Sequence, residues 1–361
     1  MHYTTSTPTT TIVAQNHENV KSESNKIAIK SLDIAIKSLE IVEKSLEIVE
    51  KSIDFPSINT EKWVEKQPMK DLIAKKLYKC GLKERSDRMN NCANVLEYVY
   101  CKSCGKVHIK RANLCRDRFC PICSWRLSLQ RVGEMQRLVD TLQNGYPELT
   151  YSLVTLTVKN CDVSDFSDTL QKMSKAWNLA ISQRKLRPRI FGWARSTELT
   201  YNKATHQLHP HYHIITAWHS DQDRQACEDA IKDAWISAAQ RHNLIADIKA
   251  QDARSIASGH ETEVEKVLKA TVEVFKYAVK TNDMDTMPTK EFKVLAEQFA
   301  SKRTCDFGGK FRELKKALKM EMDKVEDDDI QIGICRDCGA IGVSDILLKW
   351  SFGERAYKLF R

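Results

Sequence analysis

Two histidines two residues apart, His211 and His213 in His209-Pro210-His211-Tyr212-His213-Ile214-Ile215, constrain this chain more than any other feature. On a β-strand, side chains two apart point to the same face, so the pair would present two imidazoles side by side. Ile214 and Ile215 continue the segment with the β-branched residues of a buried strand. Neutral imidazole is the commonest protein ligand for a divalent metal. The pair is therefore half a metal site, to be completed by a carboxylate or a further polar ligand. Taken alone, two alternating histidines also allow plain core packing.

The flanking sequence gives this strand a setting. Residues 150–158 alternate and are β-rich, 165–182 carry Leu170, Met173, Trp177 and Leu179 at helical spacing, and 190–201 and 208–218 read as strands joined by the polar turn 202–207. A helix over 221–240, a strand over 245–253 and a helix over 261–280 follow. The order β-α-β-β-α-β predicts an α+β, ferredoxin-like antiparallel sheet with helices on one face. The histidines fall in the second half of its central hairpin.

Upstream, the chain is rich in cysteine. Cys101-x-x-Cys104 and Cys120-x-x-Cys123, fifteen residues apart, fit a four-cysteine zinc ribbon, with Gly105 allowing a tight knuckle. Cys92 and Cys115 are alternate zinc ligands, His108 is near, and the surplus leaves room for a second zinc. Cys335-x-x-Cys338 is half a site that Cys305 or another chain would have to complete. Cys-x-x-Cys pairs without an export signal predict reduced thiols and a cytoplasmic protein. No run approaches the about 18 apolar residues of a membrane span.

The 361 residues are 42% hydrophobic and 29% charged, with a net charge of +9 that favours a polyanionic partner. Residues 1–25 read as a disordered tail. Residues 26–54 repeat every seven, with Leu32, Leu39, Leu46 and Ile53 alternating with Ala35, Val42 and Val49. This predicts a coiled-coil-like helix for self-association or a lone amphipathic helix. A basic zinc-binding region (60–145), the α+β domain that carries the histidine strand (146–285) and a C-terminal helical region with the last Cys-x-x-Cys (286–361) complete the expected organisation. Arg116, Arg118, Arg126, Lys110 and Arg111 make the zinc region basic enough to touch nucleic acid.

Glu273-Val274-Phe275-Lys276-Tyr277-Ala278-Val279-Lys280 carries a second cluster. On a helix Glu273 and Tyr277 lie one turn apart on one face, with Lys276 and Lys280 nearby. Facing a metal, these groups suit phosphodiester cleavage: the metal polarises the phosphate, Tyr277 attacks in line, and a lysine offsets charge or lowers the phenol pKa. Glu273 would activate water to hydrolyse the phosphotyrosine. Packing of the tyrosine and a surface ion pair for the glutamate are the plainer alternatives.

The stretch Arg118-Phe119-Cys120-Pro121-Ile122-Cys123-Ser124-Trp125-Arg126, the strand Leu156-Thr157-Val158, the His-Pro-His-Tyr-His segment and Lys276-Tyr277-Ala278-Val279-Lys280 follow in that order. Together they resemble the rolling-circle replication initiators of small bacterial plasmids, in the HUH (His-hydrophobic-His) endonuclease superfamily. The resemblance covers about residues 85–320, and Gly308-Gly309-Lys310-Phe311-Arg312 is similar to the family's glycine-containing C-terminal segment. It implies a nick in one strand of the plasmid origin, in single-stranded or hairpin DNA. It also implies a covalent 5′-phosphotyrosine at Tyr277 and a free 3′-OH for host polymerase and helicase. His211 and His213 would hold Mg²⁺ or Mn²⁺, and Glu273 stands where one branch has a glutamate used in termination. One tyrosine in the motif suits the single-tyrosine group. Glu198, on the paired strand, is either the third ligand or a structural carboxylate, and His209 fits a hydrogen-bonded role better than ligation. A transposase or relaxase of the same superfamily, or a non-catalytic zinc-ribbon DNA-binding regulator, is the alternative.

Overall fold

The computed structural model describes residues 58–219, 221–256, 263–275, 281–300, 302–319, 335, 337–340 and 343–360. The expected tail and heptad helix lie outside the described residues, as do Lys276, Tyr277 and Lys280. The fold is α+β with antiparallel sheets.

Helix α1 (Glu61–Lys79) has an acidic residue in its first turn and Lys76 and Lys79 in its last, matching the helix dipole. Its Trp63, Ile73, Ala74 and Leu77 form one buried stripe. Helix α2 (Lys83–Asn90), the hairpin β1 (Val95–Cys101) and β2 (Val107–Ala112), and α3 (Pro121–Gly145) follow. Pro121 opens α3 in the first turn, where the missing N–H would have had no helical partner.

Next come β3 (Thr150–Thr157), β4 (Cys161–Asp162), α4 (Phe166–Ser182), β5 (Ile190–Asn202), β6 (Gln207–Trp218), α5 (Arg224–Arg241) and β7 (Asp252–Ser255). Helices α6 (Glu263–Val274), α7 (Thr281–Thr286) and α8 (Thr289–Phe299) lead to β8 (Cys305–Gly309), a helical stretch over 310–319, and the hairpin β9 (Val343–Ser351) and β10 (Ala356–Leu359).

The larger sheet runs β7-β3-β6-β5-β8, with β4 also paired to β6, and every pairing is antiparallel. Helices α4 and α5 pack Met173, Trp177, Ile231 and Trp235 against Val154, Tyr212 and Ile214 on one face. Helices were expected on that face alone. The opposite face is covered too, where α3 (Met135, Leu138, Leu142) and α6 (Val267, Val274) meet Leu153, Ala194, Ile215 and Ala217. The reason is local: beyond His213 the alternation stops, and Ile214 through Trp218 are all buried, as a strand covered on both faces must be.

One other expectation is corrected. The strand expected over 245–253 is shorter and later. The Asp247 carboxylate accepts from the Lys249 backbone N–H at 2.9 Å and starts a 3₁₀ turn instead, so pairing begins only at Asp252. Among its described residues the C-terminal region carries strands as well as helices. Its β9 alternates, with Ile346, Leu348 and Trp350 buried, and pairs with β1 to give a second sheet of order β10-β9-β1-β2. At the end of β8, Gly309 adopts φ +57°, and a Cβ there would lie 2.6 Å from the Phe191 carbonyl oxygen. That glycine lets the chain turn against β5 and seat Phe311 over Gly192.

Candidate metal centre

Strand β6 sorts its side chains by parity. Leu208, Pro210, Tyr212 and Ile214 are buried, while His209, His211 and His213 are half-buried on the other face. Glu198 on β5 is the register partner of His211 and shares that face. Its Oε2 lies 3.0 Å from His213 Nε2 and 3.5 Å from His211 Nε2. Burial opposes ionisation of the Glu198 carboxyl, but hydrogen bonds from His211 and His213, with their charges, outweigh it and hold the group well below the usual carboxylate range. One donor atom from each of the three lies within 4.8 Å of the others, so the cluster could hold a metal ion.

Strand β3 fixes the ring orientations from the opposite side of β6. His213 Nδ1 is 3.1 Å from Thr155 Oγ1, which leaves Nε2 turned toward Glu198. His209 uses both ring nitrogens, Nδ1 with Asn160 Oδ1 at 2.8 Å and Nε2 with Thr157 Oγ1 at 3.1 Å, and does not join the ligand cluster. Burial, then the nearby His211, pushes the His209 pKa down. Thr157 is itself held, its N–H donating to Gln251 Oε1 at 2.7 Å and its carbonyl accepting from Trp235 Nε1 at 3.1 Å. The threonines of β3 went unnoticed in the sequence, although Thr155 and Thr157 alternate as the histidines do.

Helix α6 lies over the Ile215 end of the same face. Its exit is anchored, since Ser128 Oγ on α3 donates to the Phe275 carbonyl at 2.6 Å and Phe275 stacks on Phe307. Glu273 is exposed on α6, two residues before that anchor. The helix is described as far as Val274, so Tyr277 and Lys280 are not placed against the cluster.

The cysteines assemble differently from the expected Cys101/Cys104/Cys120/Cys123 set. Cys120 and Cys123 join Cys92 and Cys115, with sulfur–sulfur distances of 3.5 Å (Cys92–Cys123), 3.6 Å (Cys115–Cys123) and 3.7 Å (Cys92–Cys120). Cys101 and Cys104 join Cys335 and Cys338, at 3.7 Å (Cys101–Cys338) and 3.6 Å (Cys104–Cys335). The physical reason is the β1–β2 hairpin: it places its own turn, with Cys101 and Cys104, at one end and the Cys92/Cys115 pair at the other. Pairing of β9 with β1 brings Val343 opposite Cys101, and with it the Cys335 knuckle. Cys305 is elsewhere, opposite Ser196 on β8, and completes neither set. His108 is no ligand either, contacting Asp337 instead.

A disulfide would need sulfurs at about 2.05 Å. Four thiolates about 2.3 Å from a tetrahedral zinc stand about 3.8 Å apart, close to what both clusters show. Hydrogen bonds from Cys115, Cys120 and Cys123 draw the Cys92 thiol far down, and those from Cys115, Cys123 and Cys92 push Cys120 up. Both clusters could hold metal ions. Equal Cys-x-x-Cys spacing at 101–104 and 335–338 was the available signal for the second set.

Residues 106–358 match the family described as Replication protein. The chain is 25% identical over 246 residues to Protein rep of Streptococcus pneumoniae serotype 2, covering 68% of this chain and 74% of that one. It is 23% identical over 283 residues to Protein rep of Lentilactobacillus hilgardii, covering 76% and 87%. A further Protein rep, of Bacillus amyloliquefaciens, is 23% identical over 301 residues, covering 76% and 85%. No solved structure matches. With a matched span of this length, the chain belongs to the Replication protein family, the rolling-circle initiators of plasmid replication that its motifs resemble. No helix among the described residues is long and apolar enough to cross a membrane.

Proposed function

We propose that the chain is a site-specific, metal-dependent DNA nickase that starts rolling-circle replication at a plasmid origin and joins strands at termination. The observation that carries this reading is the convergence of Glu198, His211 and His213 on one sheet face in a member of the Replication protein family. The order β7-β3-β6-β5, with α4 and α5 as crossovers, supports a ferredoxin-like βαββαβ sheet of the HUH kind. Two imidazoles and a carboxylate suit Mn²⁺ or Mg²⁺, which would polarise a phosphate oxygen and offset charge building at phosphorus.

In this reading Tyr277 is the nucleophile. Its phenolic oxygen bonds to phosphorus as the bond from phosphorus to the 3′ oxygen breaks, and its proton leaves to solvent or a base. The products are a 5′-phosphotyrosine and a free 3′-OH for the host polymerase, with host helicase opening the duplex. Lys280 offsets negative charge on the phenolate and phosphate. Glu273 activates the water that releases the phosphotyrosine at termination. The two four-cysteine clusters hold structural Zn²⁺, residues 26–54 serve self-association, and free cysteines fit a cytoplasmic location.

The test is Tyr277→Phe on single-stranded origin DNA with Mn²⁺. Wild type is expected to give a covalent adduct on a denaturing gel, and the variant none, with cleavage down on the order of 10³-fold or more. An adduct at wild-type yield from the variant would overturn the nucleophile. Failure of wild type to cleave any origin strand would turn the reading toward a DNA-binding regulator.

A further inference from the structure

A trough of about 990 Å³ lies between the 114–118 loop, the N-terminal half of α3, Ala300 and residues 303–305. A depression of about 450 Å³ continues it, sharing Leu127, Arg131, Arg303 and Cys305 as lining. Arg116, Arg118, Arg126, Arg131, Arg137 and Arg303 line the larger part, against one acid, Asp117. That acid is already engaged from behind, accepting from Arg85 Nε at 2.8 Å and from its terminal nitrogen at 3.2 Å. The trough is therefore strongly cationic.

Two of the guanidiniums are positioned by neutral acceptors, whereas Arg303 pairs with Asp306 at 3.4 Å where the depression begins. Arg118 and Arg131 donate to the same hydroxyl, Thr304 Oγ1, at 3.3 and 3.2 Å, and Arg118 Nε donates to the Ala300 carbonyl at 3.1 Å. Neither has a carboxylate within salt-bridge distance among the described residues. Burial, then the Arg131 charge, pushes Arg118 below its ordinary value. Two like charges held on one hydroxyl repel, and an anion between them would relieve that repulsion. Leu127 and Leu129 stand exposed among the arginines, an apolar rim that fits sugars and bases better than an acidic peptide or free phosphate.

The inner end of the trough borders the metal centre. The Thr304 carbonyl accepts from Thr197 N–H at 2.7 Å, one residue before Glu198, and Cys305 pairs with Ser196. On the same α3 stretch, Ser128 holds the Phe275 carbonyl, two residues before Tyr277. We infer that this trough binds the sugar–phosphate backbone of the DNA strand that the metal centre cuts, leading it from the buried cysteine cluster to Glu198. The inference rests on the nickase reading for the fate of the strand but on the arginines alone for its binding.

The full chain and three triple variants are titrated onto a labelled single strand of about 30 nucleotides at several salt concentrations, with no divalent ion added. Arg116→Gln, Arg131→Gln and Arg137→Gln together are expected to weaken binding about tenfold or more and to lower the slope of log Kd against log salt by about 2. The same three positions changed to Lys should keep the slope. The control Arg184→Gln, Lys185→Gln and Arg187→Gln, before the far end of β5, should change affinity less than about twofold. Equal losses in the trough and control variants would overturn the inference, as would a lysine triple as weak as the glutamine triple. Because nothing is cut in this assay, failure of the nickase reading leaves its outcome untouched.

Discussion

The two four-cysteine clusters have the same donors and opposite surroundings. Cys92, Cys115, Cys120 and Cys123 lie within 31 residues of one another, and three of them are buried in the main core beside Phe119 and Ile122. Cys101 and Cys338 are 237 residues apart, and Cys104 and Cys338 are exposed. A metal held by the first cluster would be part of the core. In the second it would be a clip between distant parts of the chain. Loop closure scales with the logarithm of loop length, so fixing the longer loop constrains the unfolded chain by only about 2 kcal/mol more. Burial therefore dominates the contrast: loss of the first metal leaves thiols in the core, whereas loss of the second leaves two of them in water.

The sharpest way to break this contrast is Cys120→Ser. It should remove one zinc per chain by elemental analysis and lower Tm by about 10 °C or more, since structural zinc contributes directly to folding. DNA binding should fall with it, because Arg116 donates its backbone N–H to Cys123 Sγ at 3.2 Å and so ties the trough to this cluster. Cys338→Ser should also cost one zinc, with a drop in Tm of about 5 °C. Amide exchange should then rise in β9, β10, β1 and β2 and stay unchanged in β3, β5 and β6. Equal melting of the two variants would show that burial does not separate the clusters.

The same contrast explains what the sequence disclosed. The strands and helices from 150 to 241 were legible because their periodicity is local, and Glu198 could be singled out because its strand adjoins the histidine strand through a short turn. The cysteine sets were not, because spacing says which pairs share a knuckle and nothing about which knuckles meet. That was decided by β9 joining β1 across about 250 residues, a pairing invisible to local pattern. The trough was legible only in part: Arg116, Arg118 and Arg126 stood out as basic residues able to touch nucleic acid, but Arg131, Arg137 and Arg303 join them only through the fold. The Glu273 to Lys280 motif, read from the sequence alone, lies partly outside the described residues.

The smallest expected effect asks whether the clusters are coupled. Tyr357 on β10 donates its hydroxyl to the Ala93 carbonyl at 2.6 Å and accepts from Gln67 Nε2 at 2.8 Å, while its ring meets Trp350 edge-on. Ala93 follows Cys92 of the buried cluster, and β10 belongs to the hairpin that the exposed cluster clips. Tyr357→Phe leaves both partners short of a hydrogen bond and should cost about 1–2 kcal/mol, or about 2–6 °C in Tm. Combined with Cys338→Ser, it should cost less than it does alone, because a hairpin already loosened at its clip holds Tyr357 less firmly against Ala93. Strictly additive losses in this double-mutant cycle would mean that the hydroxyl alone seats β10, and that the second metal clips only its own knuckles.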